Sequence, residues 1–151
     1  MNGTVPPVRV LGAHEAAVLD QVAPDVFDGP VDARWCAEFF ADARHHLAVA
    51  LDGELVVGMA SGVHYVHPDK PPELFIDEVG VAPTHEGRGI GRRLLAALLE
   101  HARGLGCVEA WVLTDYDNAA ARRMYAAAGG VEREQATLLF SFPLPRGAPE
   151  G

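Results

Sequence analysis

Glycines 87, 89 and 91 alternate with Arg88 and Ile90, and Arg92 and Arg93 follow at once. The run before them, Val79-Gly80-Val81, reads as a strand, and the run after them reads as a helix. A glycine turn at a helix start leaves backbone N–H groups free, and the helix dipole adds positive character there. Glycines also let a bulky anion approach the backbone closely. With three arginines within six residues, the expected anion is a phosphate or pyrophosphate. A dinucleotide fingerprint would need glycine where Arg92 stands, although Glu109 lies about twenty residues on, as that motif likes. A P-loop would need a lysine after the glycines, and the only lysine is Lys70. A glycine-rich turn with no ligand is the third reading.

The elements that must position this loop follow from periodicity. A short strand is expected over 8–11, a helix over 14–22, a loop over 24–30 and a helix over 33–43, with Trp35, Phe39 and Phe40 near one face. Strands over 46–51 and 55–67 flank Asp52-Gly53, a strong hairpin signal. A strand over 74–81 leads into the loop, and a helix runs from 89 to about 103, stopped by Gly104-Leu105-Gly106. A strand over 108–114, a helix over 119–128 and a strand in two pieces over 131–142 complete the order. The fold class is α/β: a mixed, mostly antiparallel sheet flanked by helices, with one late βαβ crossover. One domain is expected over 1–144, with a frayed tail over 145–151.

Composition narrows the partners. The 151 residues carry a net charge of −9, which disfavours nucleic acid as the main ligand. Residues 1–81 hold 13 acids and 4 bases, whereas residues 82–151 hold 8 of each. An acidic half suits a cation, and the other half can hold an anion. No stretch is long and apolar enough for a membrane span, and the first residues lack a leader pattern. Two cysteines, Cys36 and Cys107, are too few for a disulfide framework, so a reducing, cytoplasmic setting is expected. Seven histidines show no metal spacing, and no metal is expected. His85, just before the loop, reads as structural or as a phosphate neighbour rather than as a base.

The loop Glu86-Gly87-Arg88-Gly89-Ile90-Gly91 resembles the pyrophosphate loop of the GNAT acetyltransferases, with Glu86 where glutamine or arginine is usual. The run from Asn118 to Tyr125, followed by Ala128-Gly129, is similar to the family's later segment, with Gly130 in place of its phenylalanine. Phe75–Val81, Asp115-Tyr116, Arg133-Glu134, Phe27-Asp28 and the hairpin 52–58 look similar to the small aminoglycoside 3-N-acetyltransferases. This resemblance implies the GNAT fold and an acetyl-CoA cosubstrate. The implied cofactor contacts are Val79, Val81, Glu86, Gly87, Arg88, Gly89, Ile90, Gly91, Arg92, Asn118 and Tyr125. The implied acceptor is a polycationic amine, specifically an aminoglycoside acetylated at its 3-amino group, a change that confers antibiotic resistance. A polyamine, amino-acid or protein amine is the alternative acceptor, and a non-catalytic acyl-CoA sensor is the alternative class. Family members are often dimers, and no patch in the sequence demands one.

Direct attack of an amine on a thioester needs no cysteine nucleophile. It needs a base for the ammonium and an acid for the departing thiolate. A phenol stays protonated at neutral pH, and Tyr125 stands where the resembled family has its tyrosine, so the resemblance implies Tyr125 as the acid. Glu78, on the strand before the loop, is the expected base or proton relay. Regular alternation would turn Asp77 and Glu78 to opposite faces unless a bulge intervenes. Asp28, Asp77, Glu78, Asp115 and Tyr116 are the expected substrate contacts, the last two at the carboxyl end of a strand.

Overall fold

The computed structural model describes residues 3–133 and 137–147. A five-stranded sheet runs in chain order, β1-β2-β3-β4-β5. The strands are β1 (Val8–Val10), β2 (His45–Asp52), β3 (Leu55–Tyr65), β4 (Glu73–Val81) and β5 (Glu109–Trp111). The helices are α1 (Ala33–Ala41), α2 (Ile90–Gly104) and α3 (Ala119–Ala127). The first three neighbouring strand pairs are antiparallel, and β4 and β5 are parallel across the α2 crossover. The Asp-Gly hairpin stands between β2 and β3, with Gly53 at φ 62° supplying the turn. No helix among the described residues is long and apolar enough to cross a membrane.

The core lies between α2 and one sheet face. Ile90, Leu94, Leu95 and Leu98 point inward at helical spacing and meet Ala48, Ala60 and Leu74. Small residues on β2 and β3 let the helix sit close: a Cβ on Gly58 would lie 3.1 Å from both Ile90 and Leu94. α1 packs on the other face behind an Asp32 cap, whose carboxylate accepts from the N–H groups of Arg34 and Trp35. None of its residues is fully buried.

Three expected elements differ. The helix over 14–22 contracts to a 3-10 turn, Ala16–Asp20. The chain is drawn out straight beyond it, because Ala23 N–H donates to Val56 O and Val22 bridges to Val56 in parallel. The strand over 108–114 is only Glu109–Trp111, because the chain leaves β4 after Trp111. The strand over 131–142 is not formed at 131–133 or 137–142, and residues 134–136 lie outside the described residues. The rest of the expected order is present, with boundaries moved by a residue or two.

Candidate active site

β4 separates two half-sites. One of its edges pairs with β3 throughout, but the other meets β5 only at Glu73↔Glu109, Leu74↔Ala110 and Phe75↔Trp111. From Ile76 to Val81 that second edge has no strand partner among the described residues. The backbone groups of Val79 and Val81 lie along this stretch. A segment with free N–H and C=O groups can take an extended ligand as an added strand would be taken.

The chain then turns through a short 3-10 element, Pro83–His85, into the glycine loop. His85 fixes that turn: its Nε2 lies 2.9 Å from an Asp52 carboxylate oxygen and its Nδ1 lies 2.8 Å from Thr84 Oγ1. These contacts give His85 a structural part in the turn. Gly87 and Gly89 sit at φ 75° and 74°, where a side chain would be strained. Gly89 caps α2 with no side-chain hydrogen bond, so the first N–H groups of a fifteen-residue helix stay open to a ligand. Glu86, Arg88 and Arg92 are exposed around this opening. Arg93 is spent elsewhere, donating to Pro6 O at 2.6 Å, so two arginines and not three remain for an anion. Ile90 and Gly91 are buried and offer backbone only.

α3 closes against this end of α2. A Cβ on Gly91 would collide with Met124 Sδ, so any larger residue there would have to displace the methionine side chain. Tyr125 is the next residue, half-buried against the core. Burial pushes its phenol above 10, which keeps it protonated across the neutral range. Asn118 caps α3, its Oδ1 accepting from Ala121 N–H at 3.1 Å, which leaves the side-chain NH2 free to donate.

The second half-site lies on the sheet face opposite α2. A cavity of about 240 Å³ opens between α1, the segment 27–32 and the strands β3 and β4. Phe27, Trp35, Phe39, Phe40 and Leu47 form its apolar wall, and Ser61, Asp77 and Glu78 its polar end. The register shifts where Ser61 pairs with Glu78 and Gly62 with Ile76, leaving Asp77 as the extra residue. This bulge turns both acids toward one cavity and resolves the alternation of β4. Burial raises the Glu78 carboxyl above its ordinary 4.5, and the charges of Asp77 and Asp28 raise it further. Asp28 thus belongs electrostatically to the same group. It sits in the adjoining depression lined by Asp20, Val22 and Phe27.

Asp115 and Tyr116 are not brought to this cavity. They do not end a strand, because β5 stops at Trp111, and they sit exposed in the loop before α3. Arg122 occupies that loop. It donates to Tyr116 O at 3.0 Å, holds Glu132 at 2.8 Å and covers the Tyr116 ring at 4.4 Å. Both thiols are pushed upward by burial, Cys36 also by Asp20, so neither is poised as a thiolate. Ser61, Cys36 and the aromatic wall escaped the sequence as site residues. The signal was present in the apolar stripe Trp35, Cys36, Phe39 and Phe40, which reads equally as a core-facing helix.

The comparisons agree with this architecture. The chain is 42% identical over 89 residues to the N-alpha-acetyltransferase RimI of Mycobacterium tuberculosis, covering 59% of this chain and 54% of that protein. It is 36% identical over 112 residues to a streptothricin acetyltransferase of Streptomyces lavendulae, covering 74% of this chain and 56% of that protein. The chain thus spans about half the length of these curated relatives. An aminoglycoside acetyltransferase from an uncultured soil metagenomic sample, solved with trehalose, superposes with a TM-score of 0.78 at 18% identity, covering 96% of this chain and all of that one. That last likeness is one of fold. The acetyltransferase (GNAT) family model matches residues 15–129, the larger part of the chain, and the protein belongs to the GNAT acetyltransferase family.

Proposed function

We propose that this protein transfers the acetyl group of acetyl-CoA to an amine of a cationic acceptor. The observation that carries this reading is the arrangement around β4. Its bulged acids face an apolar cavity, while its free edge runs into the uncapped start of α2. In this reading the α2 N-terminus with Arg88 and Arg92 takes the pyrophosphate, and the Val79–Val81 backbone takes the pantetheine arm. An N–H on that edge polarises the thioester carbonyl. Glu78 accepts the proton that makes the amine a nucleophile, and Asp28 and Asp77 hold the ammonium beforehand. The amine nitrogen attacks the carbonyl carbon, the C–S bond breaks, and Tyr125 protonates the departing sulfur. Glu86 and Ile90 contribute backbone groups to the pyrophosphate cradle, and Asn118 contributes its side-chain NH2.

The specific acceptor proposed is an aminoglycoside, acetylated at its 3-amino group. The acidic first half of the chain supports a polycation, as does the similarity to an acetyltransferase named for streptothricin. Asp115 and Tyr116 then keep a role only toward parts of the acceptor outside the cavity. The aromatic wall favours a second reading, an amino-acid or peptide amine with an apolar neighbour.

Thiol release from acetyl-CoA tests the proposal against gentamicin-type, kanamycin-type and streptomycin-type aminoglycosides, spermidine and a peptide with a free amine. Release with the gentamicin type is the expected result. Release with peptide alone would install the second reading. Acetyl-CoA binding without release in any arm would leave an acyl-CoA sensor. In Tyr125→Phe, acetyl-CoA binding should persist while turnover falls about a hundredfold. Unchanged turnover removes the acid role.

A further inference from the structure

The sheet face that carries the cavity continues past Asp77 toward the start of β4. In register, Phe75 pairs with Val63 and Trp111, and Glu73 pairs with Tyr65 and Glu109. Cross-strand partners share a face, and Phe75 stands two residues before Asp77. Leu74, between Glu73 and Phe75, is buried on the α2 side.

Three rings meet on this stretch. The Phe75 centroid lies 4.6 Å from that of Trp111 and 6.4 Å from that of Tyr65, and Tyr65 and Trp111 are 6.3 Å apart. The Tyr65 and Trp111 planes meet at 10°, and Phe75 is tilted 39° to each. Packing alone would hide such rings, yet Tyr65 and Trp111 are each 38% exposed. A ring face draws a cation that stands within about 6 Å of its centroid, and centroids this close leave one position within that reach of all three. The chain's own arginines cover Trp35 at 4.8 Å and Tyr116 at 4.4 Å. Among the described residues, no arginine or lysine covers this cluster. Carboxylates stand on both sides of the rings, Asp77 and Glu78 toward the cavity and Glu73 and Glu109 away from it. Glu73 keeps His67 at 3.1 Å and Glu109 keeps Arg133 at 2.9 Å, so the rings are the open part of that end.

We propose that Tyr65, Phe75 and Trp111 bind a second ammonium group of the acceptor while its reacting amine stands at Glu78. This site rests on the amine-acceptor reading of the Asp77–Glu78 cavity and adds a length to it. Two or three residues of strand separate Phe75 from the acids, so the two nitrogens lie on the order of 7–10 Å apart. A monoamine fills one position only. An aminoglycoside and an alkyl polyamine both supply a second cation, and that cation is what the rings recognise.

Thiol-release assays with gentamicin, spermidine and butylamine test the site. Trp111→Leu should raise KM about tenfold for whichever polycation serves as substrate, with kcat unchanged and KM for butylamine unmoved. Trp111→Phe keeps a ring and should recover most of that loss. A polycation KM that does not move, or that moves equally for butylamine, would overturn the proposal, because Trp111 then senses no second charge. Thiol release with none of the three amines would instead fail the amine-acceptor reading, and a binding measurement then decides the rings. Trp35→Phe leaves Trp111 as the only indole. Its fluorescence should change on titration with gentamicin or spermidine, beyond a sodium chloride control of matched ionic strength. A response to one polycation alone names the source of the cation. No response to either would overturn the ring site without any assay of turnover.

Discussion

α2 and α1 cover opposite faces of one sheet and do it differently. α2 buries six residues and fits into a face of alanines and glycines with almost no exposed area. α1 buries none fully and leaves a cavity of about 240 Å³ between itself and β3–β4. The acids follow the same division: Asp77 and Glu78 are on the loose face, while the tight face is aliphatic apart from its histidines. The tight face supplies stability and fixes where α2 begins, hence where its free N–H groups point. The loose face forgoes packing to keep room for a ligand.

The comparison breaks first at Glu78. Glu78→Gln should lower kcat by about 10² to 10⁴ and leave the urea midpoint within error, since the side chain sits at the cavity mouth. The raised carboxyl sets the sign of the pH profile. Wild-type kcat/KM should fall as pH drops through a value above 4.5, where the carboxylate gains its proton. A loss under threefold, or an acid limb that survives the substitution, would show that Glu78 carries no proton.

Leu98→Ala tests the other face. Leu98 is 0% exposed under α2, so truncation should cost on the order of 2–5 kcal/mol, with kcat of the folded protein unchanged. Phe39→Ala, on the cavity wall, should cost about 1 kcal/mol and act mainly on KM. Equal stability losses at the two sites would erase the distinction between the faces.

What the sequence revealed follows the same division. α2, its glycine turn and the β2–β3 hairpin were legible because local chemistry fixes each one: helical spacing, positive-φ glycines, Asp-Gly. Legibility failed where long-range contacts decide. Alternation gives the faces of β4 only until Asp77, because the bulge depends on how β3 pairs. The first helix shortens because Val56 captures residues 22 and 23 from far along the chain. Arg93 looked like an anion ligand and is held by Pro6 O, a contact 87 residues apart in sequence. Asp115 and Tyr116 were placed by expecting β5 to run longer than its three paired residues.

The tight face has one polar exception, and it carries the smallest predicted effect. His46 is 6% exposed, with Nε2 2.8 Å from His64 Nδ1 and Nδ1 3.0 Å from His101 Nε2. These three rings tie the last turn of α2 to β2 and β3. Burial lowers the His46 pKa to about 4, His101, His64 and His45 lower it too, and Asp42 opposes them. Its ordinary value is 6.5, so between 6.5 and 4 the unfolded chain binds more protons than the folded one. Stability from this ring is therefore complete above about 6.5 and is lost as pH falls toward 4. His101 is shifted in the same direction and adds to the slope. Urea midpoints between pH 7 and 4 should fall more steeply for wild type than for His46→Gln, by on the order of 2 kcal/mol. Apart from Asp42, which faces His46, the carboxylates are common to both proteins, so the difference between the curves reports mainly on the histidine chain. Parallel curves would mean that α2 is held by its leucines alone, and that the imidazole chain merely fills the space beneath its end.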